Sequence, residues 1–192
     1  MARTKEFDPD VVLGRALDLF WEHGYEATST VDLVAHLGIA RASLYGTFGS
    51  KRALYLRALA RYIETTDPVV VHDLAGPGAA LPAVRELVRR YASESGDGTG
   101  RGCMVVNAAV EFAGRDAEAA RFVEASWATV ETALTSALVR ARGAGELAAD
   151  RDPGELARFL LVLLQGMRVL GRMPDGRARL RAAADTAMAL LD

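Results

Sequence analysis

Between Asp32 and Glu64 the chain carries no acidic residue, and in that window stand Arg41, Lys51, Arg52, Arg57 and Arg61. Across the 192 residues, 23 Lys and Arg are balanced by 25 Asp and Glu, for a formal net charge of −2, so this stretch is a cationic island in a charge-balanced protein. Lys and Arg gathered in this way can displace counterions from a nucleic-acid duplex. The island reads either as a phosphate-facing surface or as a solvated face whose acids lie elsewhere. A second group, Cys103, Asn107 and Glu111, has four-residue spacing that puts all three on one helix face. A thiol in the first turn would be favoured as thiolate by the helix dipole, with Arg101 close by in sequence; the other reading is a small cysteine that only packs. Gly96, Gly98, Gly100 and Gly102 lack both a preceding strand and a following Lys-Ser/Thr, so they read as a loop and not as a phosphate cradle. His23, His36 and His72 have no metal-binding spacing, and nothing matches a hydrolase signature. No metal, no cofactor and no catalytic residue is expected.

The elements that must hold these residues are helices. Segments with three-to-four periodicity separated by Gly, Pro or Asp run through the chain, and alternating strand-like runs are almost absent, which predicts an all-α fold of about nine helices. The first opens at Asp8 and Pro9, places Val12, Ala16, Leu17, Phe20 and Trp21 on one face, and stops at Gly24. Thr30 is expected to cap a short helix over 31–37, closed by Gly38. A second short helix is expected over 41–48, and a longer one from Lys51 into the mid-sixties. The two short helices, separated by Gly38-Ile39-Ala40, make a helix-turn-helix that coincides with the cationic island.

A helix that enters a major groove needs small or polar side chains and flanking phosphate donors, and Arg41, Ala42, Ser43, Tyr45, Gly46 and Thr47 meet that need. Leu44 and Phe48, four apart, would pack on Leu33, Val34 and Leu37, leaving Tyr45 and Gly46 outward. Tyr45 suits a sugar-phosphate backbone, or is a half-buried structural tyrosine.

Pro68, Pro77 and Pro82 change the composition beyond this point, so a boundary is expected near 62–68, dividing the chain into 1–62 and a larger helical part, 63–192. Helices are expected there over 81–95, 103–112, 116–142, 153–171 and 175–190. The stretch from Leu156 to Leu170 is apolar around most of its circumference, so it needs cover on two sides, from its own domain and a partner, or else lies deep inside a monomer. No apolar run approaches the ~20 residues of a membrane span, and the N-terminus has no signal-like apolar stretch. One cysteine excludes an internal disulfide framework and fits a reducing cytoplasm. Arg3 and Lys5 are expected to form a short arm.

Residues 30–54, with Leu-Gly-Ile-Ala-Arg-Ala-Ser-Leu-Tyr-Gly-Thr-Phe-Gly-Ser-Lys at 37–51, and the preceding His23-Gly24-Tyr25 closely resemble the DNA-binding domain of the TetR family of transcriptional regulators. The resemblance covers roughly the first sixty residues. It implies phosphate contacts from Thr30, Tyr45 and Lys51, and base reading by Arg41 and Ser43. Two departures stand out: Ala40 where many members have Ser, and Ala42 where many have Gly.

The resemblance further implies a homodimer formed through the last two helices, with Leu160, Leu164, Met167, Leu180, Ala183 and Ala187 as its interface and Gly166 permitting close approach. It implies a ligand pocket among the middle helices, for which the aromatic, Met and polar candidates are Tyr62, Tyr91, Met104, Asn107, Glu111, Phe122, Trp127, Val130, Phe159 and Leu163. Gly102-Cys103-Met104 with Asn107 and Glu111 is similar to a subgroup several of whose members sense reactive electrophiles or small acids, which adds Cys103. The expected function is therefore a cytoplasmic, nucleoid-associated repressor that leaves a palindromic double-stranded DNA operator when an unknown small-molecule effector binds. Two alternatives are a thiol-based redox or electrophile sensor acting through Cys103, and an all-α carrier or enzyme using Cys103, Asn107 and Glu111.

Overall fold

The computed structural model of the chain describes residues 7–94, 101–112, 114–173 and 176–192. Within them run nine α-helices and no strand: α1 (Pro9–His23), α2 (Thr30–Leu37), α3 (Arg41–Phe48), α4 (Lys51–Ala75), α5 (Ala80–Glu94), α6 (Met104–Phe112), α7 (Ala117–Gly143), α8 (Pro153–Leu170) and α9 (Gly176–Leu190). Arg3, Lys5, Gly96, Gly98, Gly100 and the expected helix start at Asp175 lie outside the described residues.

Local chemistry sets the boundaries of the first four helices. Asp8 caps α1 by accepting the Asp10 N–H at 2.8 Å, and Pro9 follows at the first helical position. The cap of α2 is Ser29 and not Thr30. The Ser29 hydroxyl accepts the Asp32 N–H at 3.1 Å while the Asp32 carboxylate accepts the Ser29 N–H at 2.8 Å, a reciprocal pair that makes Thr30 the first helical residue. Ala40 gives α3 no side-chain cap. Ser50 caps α4 on the Ala53 N–H at 3.0 Å.

Helix α4 continues ten residues or so beyond its expected end, through Pro68 to Ala75. A proline inside a helix costs about 3 kcal/mol or more, because it removes one hydrogen bond and crowds the preceding turn. Beyond it Val70 and Leu74 are buried against α5 and α7, at about 1.5–3 kcal/mol each, which offsets the loss. The Thr65 and Thr66 hydroxyls also donate to the Tyr62 carbonyl in the turn before Pro68.

The buried side chains form two clusters. One joins α1–α3 and the first half of α4 to α6 and the start of α7, including Met104, Ala108, Phe112 and Val123. The other holds the second half of α4 with α5, the rest of α7, α8 and α9. Helices α4 and α7 thread both, so the helix-turn-helix rests on α6 through shared core. At that junction Tyr25, Tyr55 and Phe112 stack mutually, with every pair of ring centroids 5.1 Å apart.

The last two helices turn their expected interface residues inward. Leu160, Leu164, Met167, Leu180 and Ala187 are buried in the chain's own core, and Ala183 is half-buried against it. The apolar face left exposed on α8 carries Phe159, Val162, Val169 and Leu170, with Met173 just beyond. Leu160, Leu164, Met167, Leu180 and Ala187 therefore present little surface outside their own domain. No helix among the described residues is long and apolar enough to cross a membrane.

Candidate nucleic-acid interface and internal cavity

Helix α3 packs by Leu44 and Phe48, both buried, on Leu33 and Leu37 of α2. That packing leaves Arg41, Ala42 and Gly46 exposed and Ser43, Tyr45 and Thr47 half-exposed. A side chain at Gly46 would meet nothing within 4 Å, so the helix surface there is open to close approach. The Tyr45 hydroxyl lies 3.2 Å from the Thr30 hydroxyl, and the Arg41 guanidinium sits 5.5 Å from the centre of the Tyr45 ring. The Thr30 hydrogen bond, and then Arg41, hold the Tyr45 pKa below its ordinary value. Thr30 and Lys51 each begin a helix, where unpaired backbone N–H groups favour an anion. The Lys51 ammonium lies 4.2 Å from the centre of the Tyr25 ring.

The rest of the cationic island is engaged within the protein. Arg52 pairs with Asp116 and Glu118 at the start of α7. Arg61 donates to the Asp10 carbonyl at 2.9 Å, and Arg57 lies over the Phe48 ring. These three side chains tie helices together; Arg41 stands on the exposed face of α3, and Lys51 opens α4 against the Tyr25 ring.

Helix α6 meets the helix-turn-helix along a polar seam. The Glu111 carboxylate accepts the Tyr25 N–H at 3.1 and 2.9 Å and the Glu26 N–H at 3.4 Å. Gly24, at φ +82°, brings its backbone so close that a Cβ there would lie 2.5 Å from a Glu111 oxygen. Trp21 donates its indole N–H to the Gly102 carbonyl at 2.9 Å. Arg101 is turned toward α1, pairing with Asp18 and Glu22, and does not serve the Cys103 thiol. Asn107 donates to the Arg101 carbonyl and accepts from Arg172 at 3.0 Å.

A cavity of about 240 Å³ lies among α4, α5, α6, α7 and α8. Tyr62, Tyr91, Cys103, Trp127 and Val130 line it, together with Thr65, Thr66, Asp67, Val69, Val70, Arg90, Val105, Ser126, Gln165 and Arg168. The Arg168 guanidinium stacks 4.1 Å from the centre of the Tyr91 ring. Burial opposes the charge of Arg168, but the Tyr91, Cys103 and Tyr62 groups around it outweigh burial and leave its pKa raised. Burial also pushes the Tyr62 hydroxyl well above the usual tyrosine range, and the neighbouring Cys103 adds to the shift. Asp67 accepts from the Ser126 hydroxyl at 3.1 Å, and burial raises its pKa.

Residues 12–58 match the family model described as bacterial regulatory proteins, tetR family, and residues 80–188 match the tetracyclin repressor-like C-terminal domain. The chain belongs to the tetR family. The family relative YezE, an HTH-type transcriptional regulator of Bacillus subtilis (strain 168), is 37% identical over 100% of both chains. ComR, an HTH-type transcriptional repressor of Escherichia coli (strain K12), is 29% identical over 98% of this chain and 90% of its own. Among solved structures, a cysteine mutant of the TetR family transcriptional regulator CifR, complexed with 26-base-pair double-strand operator DNA, superposes with a TM-score of 0.85 at 32% identity over 100% of both chains. The protein is thus a DNA-binding transcriptional regulator of the tetR family.

Within that tetR-family frame the ligand candidates divide. Tyr62, Tyr91, Cys103, Trp127 and Val130 meet at the cavity, whereas Asn107 and Glu111 line a separate crevice against α1 and α8. Met104 is buried in the core beneath the helix-turn-helix, and Phe122 packs on the same cluster. Phe159 is on the outer face of α8 and Leu163 packs into the second core, so neither lines the cavity. Arg168, Asp67, Ser126 and Gln165 also line the cavity, and the sequence alone does not mark them as ligand candidates. A charged residue inside an otherwise apolar run was the available signal for Arg168.

Proposed function

We propose that the protein is a homodimeric, cytoplasmic repressor that holds a palindromic operator through residues 1–62 and leaves it when a small molecule enters the cavity of residues 63–192. The observation that carries this reading is the grouping of Thr30, Arg41 and Tyr45 at the exposed surface of α3, with Lys51 at the start of the next helix. Arg41 and Ser43 read base edges, while Thr30, Tyr45 and Lys51 hold phosphates, and Ala42, Gly46 and Thr47 let the helix approach the major groove. Two copies related by a two-fold axis engage half-sites about one helical turn apart, ~34 Å. CifR is described in complex with double-strand operator DNA, and ComR is described as a repressor, which supports the same role here.

The test is retention of genomic fragments by the purified protein at near-physiological salt. A palindromic fragment is expected to survive washing that removes bulk DNA, because specific complexes persist where phosphate-only binding fades. Retention of no particular fragment, with and without added small molecules, would overturn the reading.

One observation favours a second reading of the trigger. Cys103 lines the cavity beside the Tyr62 hydroxyl, in the position of a thiol that an electrophile could reach from inside. On this reading Gly102, Cys103, Asn107 and Glu111 are the subgroup's sensor segment, with the last two fastening α6 in place. Operator release by an electrophile that persists in Cys103→Ser would exclude it. The carrier or enzyme alternative draws no support, since Asn107 and Glu111 are engaged in the seam between the two parts of the chain.

A further inference from the structure

Lys51 is held differently from the cations that follow it. Arg52 pairs with Asp116 and Glu118, and Arg61 donates to the Asp10 carbonyl, whereas Lys51 forms no salt bridge among the described residues. Its ammonium lies instead 4.2 Å from the centre of the Tyr25 ring, inside the ~6 Å over which an aromatic face attracts a cation. The side chain stays half-exposed. The ring itself is fixed from several sides. The Tyr25 N–H donates to both oxygens of Glu111, and the Tyr25 carbonyl accepts the Thr28 N–H at 3.3 Å, closing the turn between α1 and α2. Thr28 is buried, and its hydroxyl donates to the Gly24 carbonyl at 2.6 Å. Tyr55 of α4 and Phe112 of α6 pack on the ring, each with its own ring centre 5.1 Å away. Lys51 thus rests on a surface whose backbone and side chain are both held.

Such a seat does something an ion pair cannot. A carboxylate would orient Lys51 but also neutralise it and occupy its N–H donors. The negative face of a ring orients the ammonium and leaves its charge, and the donors turned away from the ring, for another anion. A lysine side chain that grips a phosphate gives up rotamer freedom, and a seated one has given up part of it on folding, before DNA arrives. We infer that Tyr25 is a positioning residue for DNA binding, whose ring holds the Lys51 ammonium ready for a backbone phosphate at the start of α4. Tyr25 acts through Lys51, so its effect is the same on every DNA sequence. The inference rests on the reading of Lys51 as a phosphate contact, and the experiment tells the two apart.

The experiment is fluorescence anisotropy of the full-length protein on two duplexes, the genomic fragment it retains and a mixed-sequence duplex of equal length. Lys51→Met, which keeps the stem and removes the charge, should weaken both. Tyr25→Leu should weaken both by about three- to tenfold, and Tyr25→Phe, which keeps the aromatic face, should recover most of that loss. In the Lys51→Met background Tyr25→Leu should cost less than about twofold, because the ring then has no charge to seat. A purely structural tyrosine would cost the same in both backgrounds. Phenylalanines of increasing ring fluorination, incorporated at position 25, keep the ring and make its face less negative. Affinity should fall stepwise along this series in the parent and stay level in Lys51→Met, and the series decides the matter where urea unfolding shows Tyr25→Leu to be destabilised. Parent-like binding by Lys51→Met would remove Lys51 from the phosphate contacts, and the inference with it. Weakened binding by Lys51→Met, together with an equal Tyr25→Leu cost in both backgrounds or affinity indifferent to fluorination, would leave Lys51 on the phosphate and overturn the role of Tyr25.

Discussion

Both oxygens of the Glu111 carboxylate accept the backbone N–H of Tyr25, at 3.1 and 2.9 Å. Glu111 stands in the last turn of α6, and Tyr25 lies in the turn that leads from α1 to the helix-turn-helix. Cys103 and Val105, at the other end of the same helix, line the cavity. A nine-residue helix is short and stiff, so one element touches both the ligand space and the DNA-binding part. A shift of α6 at the cavity is thereby carried to the base of the helix-turn-helix, provided the ligand favours one of the two arrangements.

Glu111→Ala removes an ionised acceptor from two backbone N–H groups. Hydrogen bonds to charged groups contribute about 1.5–3 kcal/mol, so the urea midpoint should fall by an equivalent amount. Operator affinity of the variant should also respond less to whatever ligand releases the parent. An unchanged midpoint together with an undiminished ligand response would remove Glu111 from the coupling.

Gly24→Ala should be among the costlier single changes in the N-terminal part. Its backbone, at φ +82° and ψ 173°, occupies a region open essentially to glycine, which costs of order 1–3 kcal/mol for another residue. The added Cβ also meets the Glu111 oxygen at 2.5 Å. These two causes separate in a double-mutant cycle. In the Glu111→Ala background the clash disappears and the backbone strain stays, so Gly24→Ala should cost less there by about 0.5–3 kcal/mol. Strict additivity in urea unfolding would show that the methyl group never met the carboxylate.

The helix-turn-helix was legible in the sequence because its signals are local. Gly38, Leu44 and Phe48 act through the spacing and conformation of one short stretch, and the structure places them as that stretch requires. Only the continuation of α4 past the mid-sixties was not legible, because Pro68 is a strong local stop, overridden by the burial of Val70 and Leu74 against helices distant in sequence. Which side of α8 turns inward was not legible for a related reason. A helix apolar on nearly every face has no periodicity to tell its inner side from its outer, and only packing on α5, α7 and α9 shows that Leu160 and Leu164 turn inward. The cavity was half legible: aromatic residues and Cys103 marked it, but Asp67, Ser126 and Arg168 come together only through the folding of three helices.

Arg41 and Lys51 should fail in different ways on DNA. Arg41→Ala removes a base-reading side chain and should lower discrimination between operator and single-base variants by about 1–3 kcal/mol. Lys51→Ala removes a phosphate contact, so all sequences should weaken alike and the salt slope should drop by about one. Fluorescence anisotropy over a range of salt, with operator and scrambled duplexes, distinguishes them. Equal losses of discrimination in both variants would reverse the assigned docking.

The Arg52–Asp116 pair makes part of the stability sensitive to acid. The Arg52 side chain, with the Ala119 N–H behind it, holds the Asp116 carboxyl far below its ordinary pKa of 3.8. A carboxylate with a depressed folded-state pKa stabilises the fold above the unfolded pKa, and that contribution is lost as pH falls toward the folded value. Arg52→Gln should therefore lower the urea midpoint by a constant amount from pH 7 to about pH 5, with the gap from the parent narrowing below about pH 4. The pair is partly exposed, so the gap at neutral pH should also shrink in high salt. A gap independent of both pH and salt would mean that Arg52 contributes only packing.

The outer face of α8 supplies the last prediction. Phe159, Val162, Gly166 and Val169 follow one another along α8 at intervals of three, four and three residues, and all are exposed. That alternation keeps them on one seam, the spacing with which one helix packs along another. Nothing lies within 4 Å of the position a Gly166 side chain would take, so the seam has a notch at its middle where a partner helix can come close. Small residues Ala182, Thr186 and Ala189 are exposed on α9, with the same four-then-three spacing. The expected assembly is a pair of chains joined by these two helices. Val162, 71% exposed in the single chain, is the residue to change, because a charge there does not disturb the inner core. Val162→Glu should convert a dimer, seen by light scattering at twice the chain mass, into a monomer with an unaltered helical circular-dichroism spectrum. Leu164→Glu, in contrast, should unfold the chain because it buries an unpaired charge in the core. A dimer that persists in Val162→Glu would place the interface on another face.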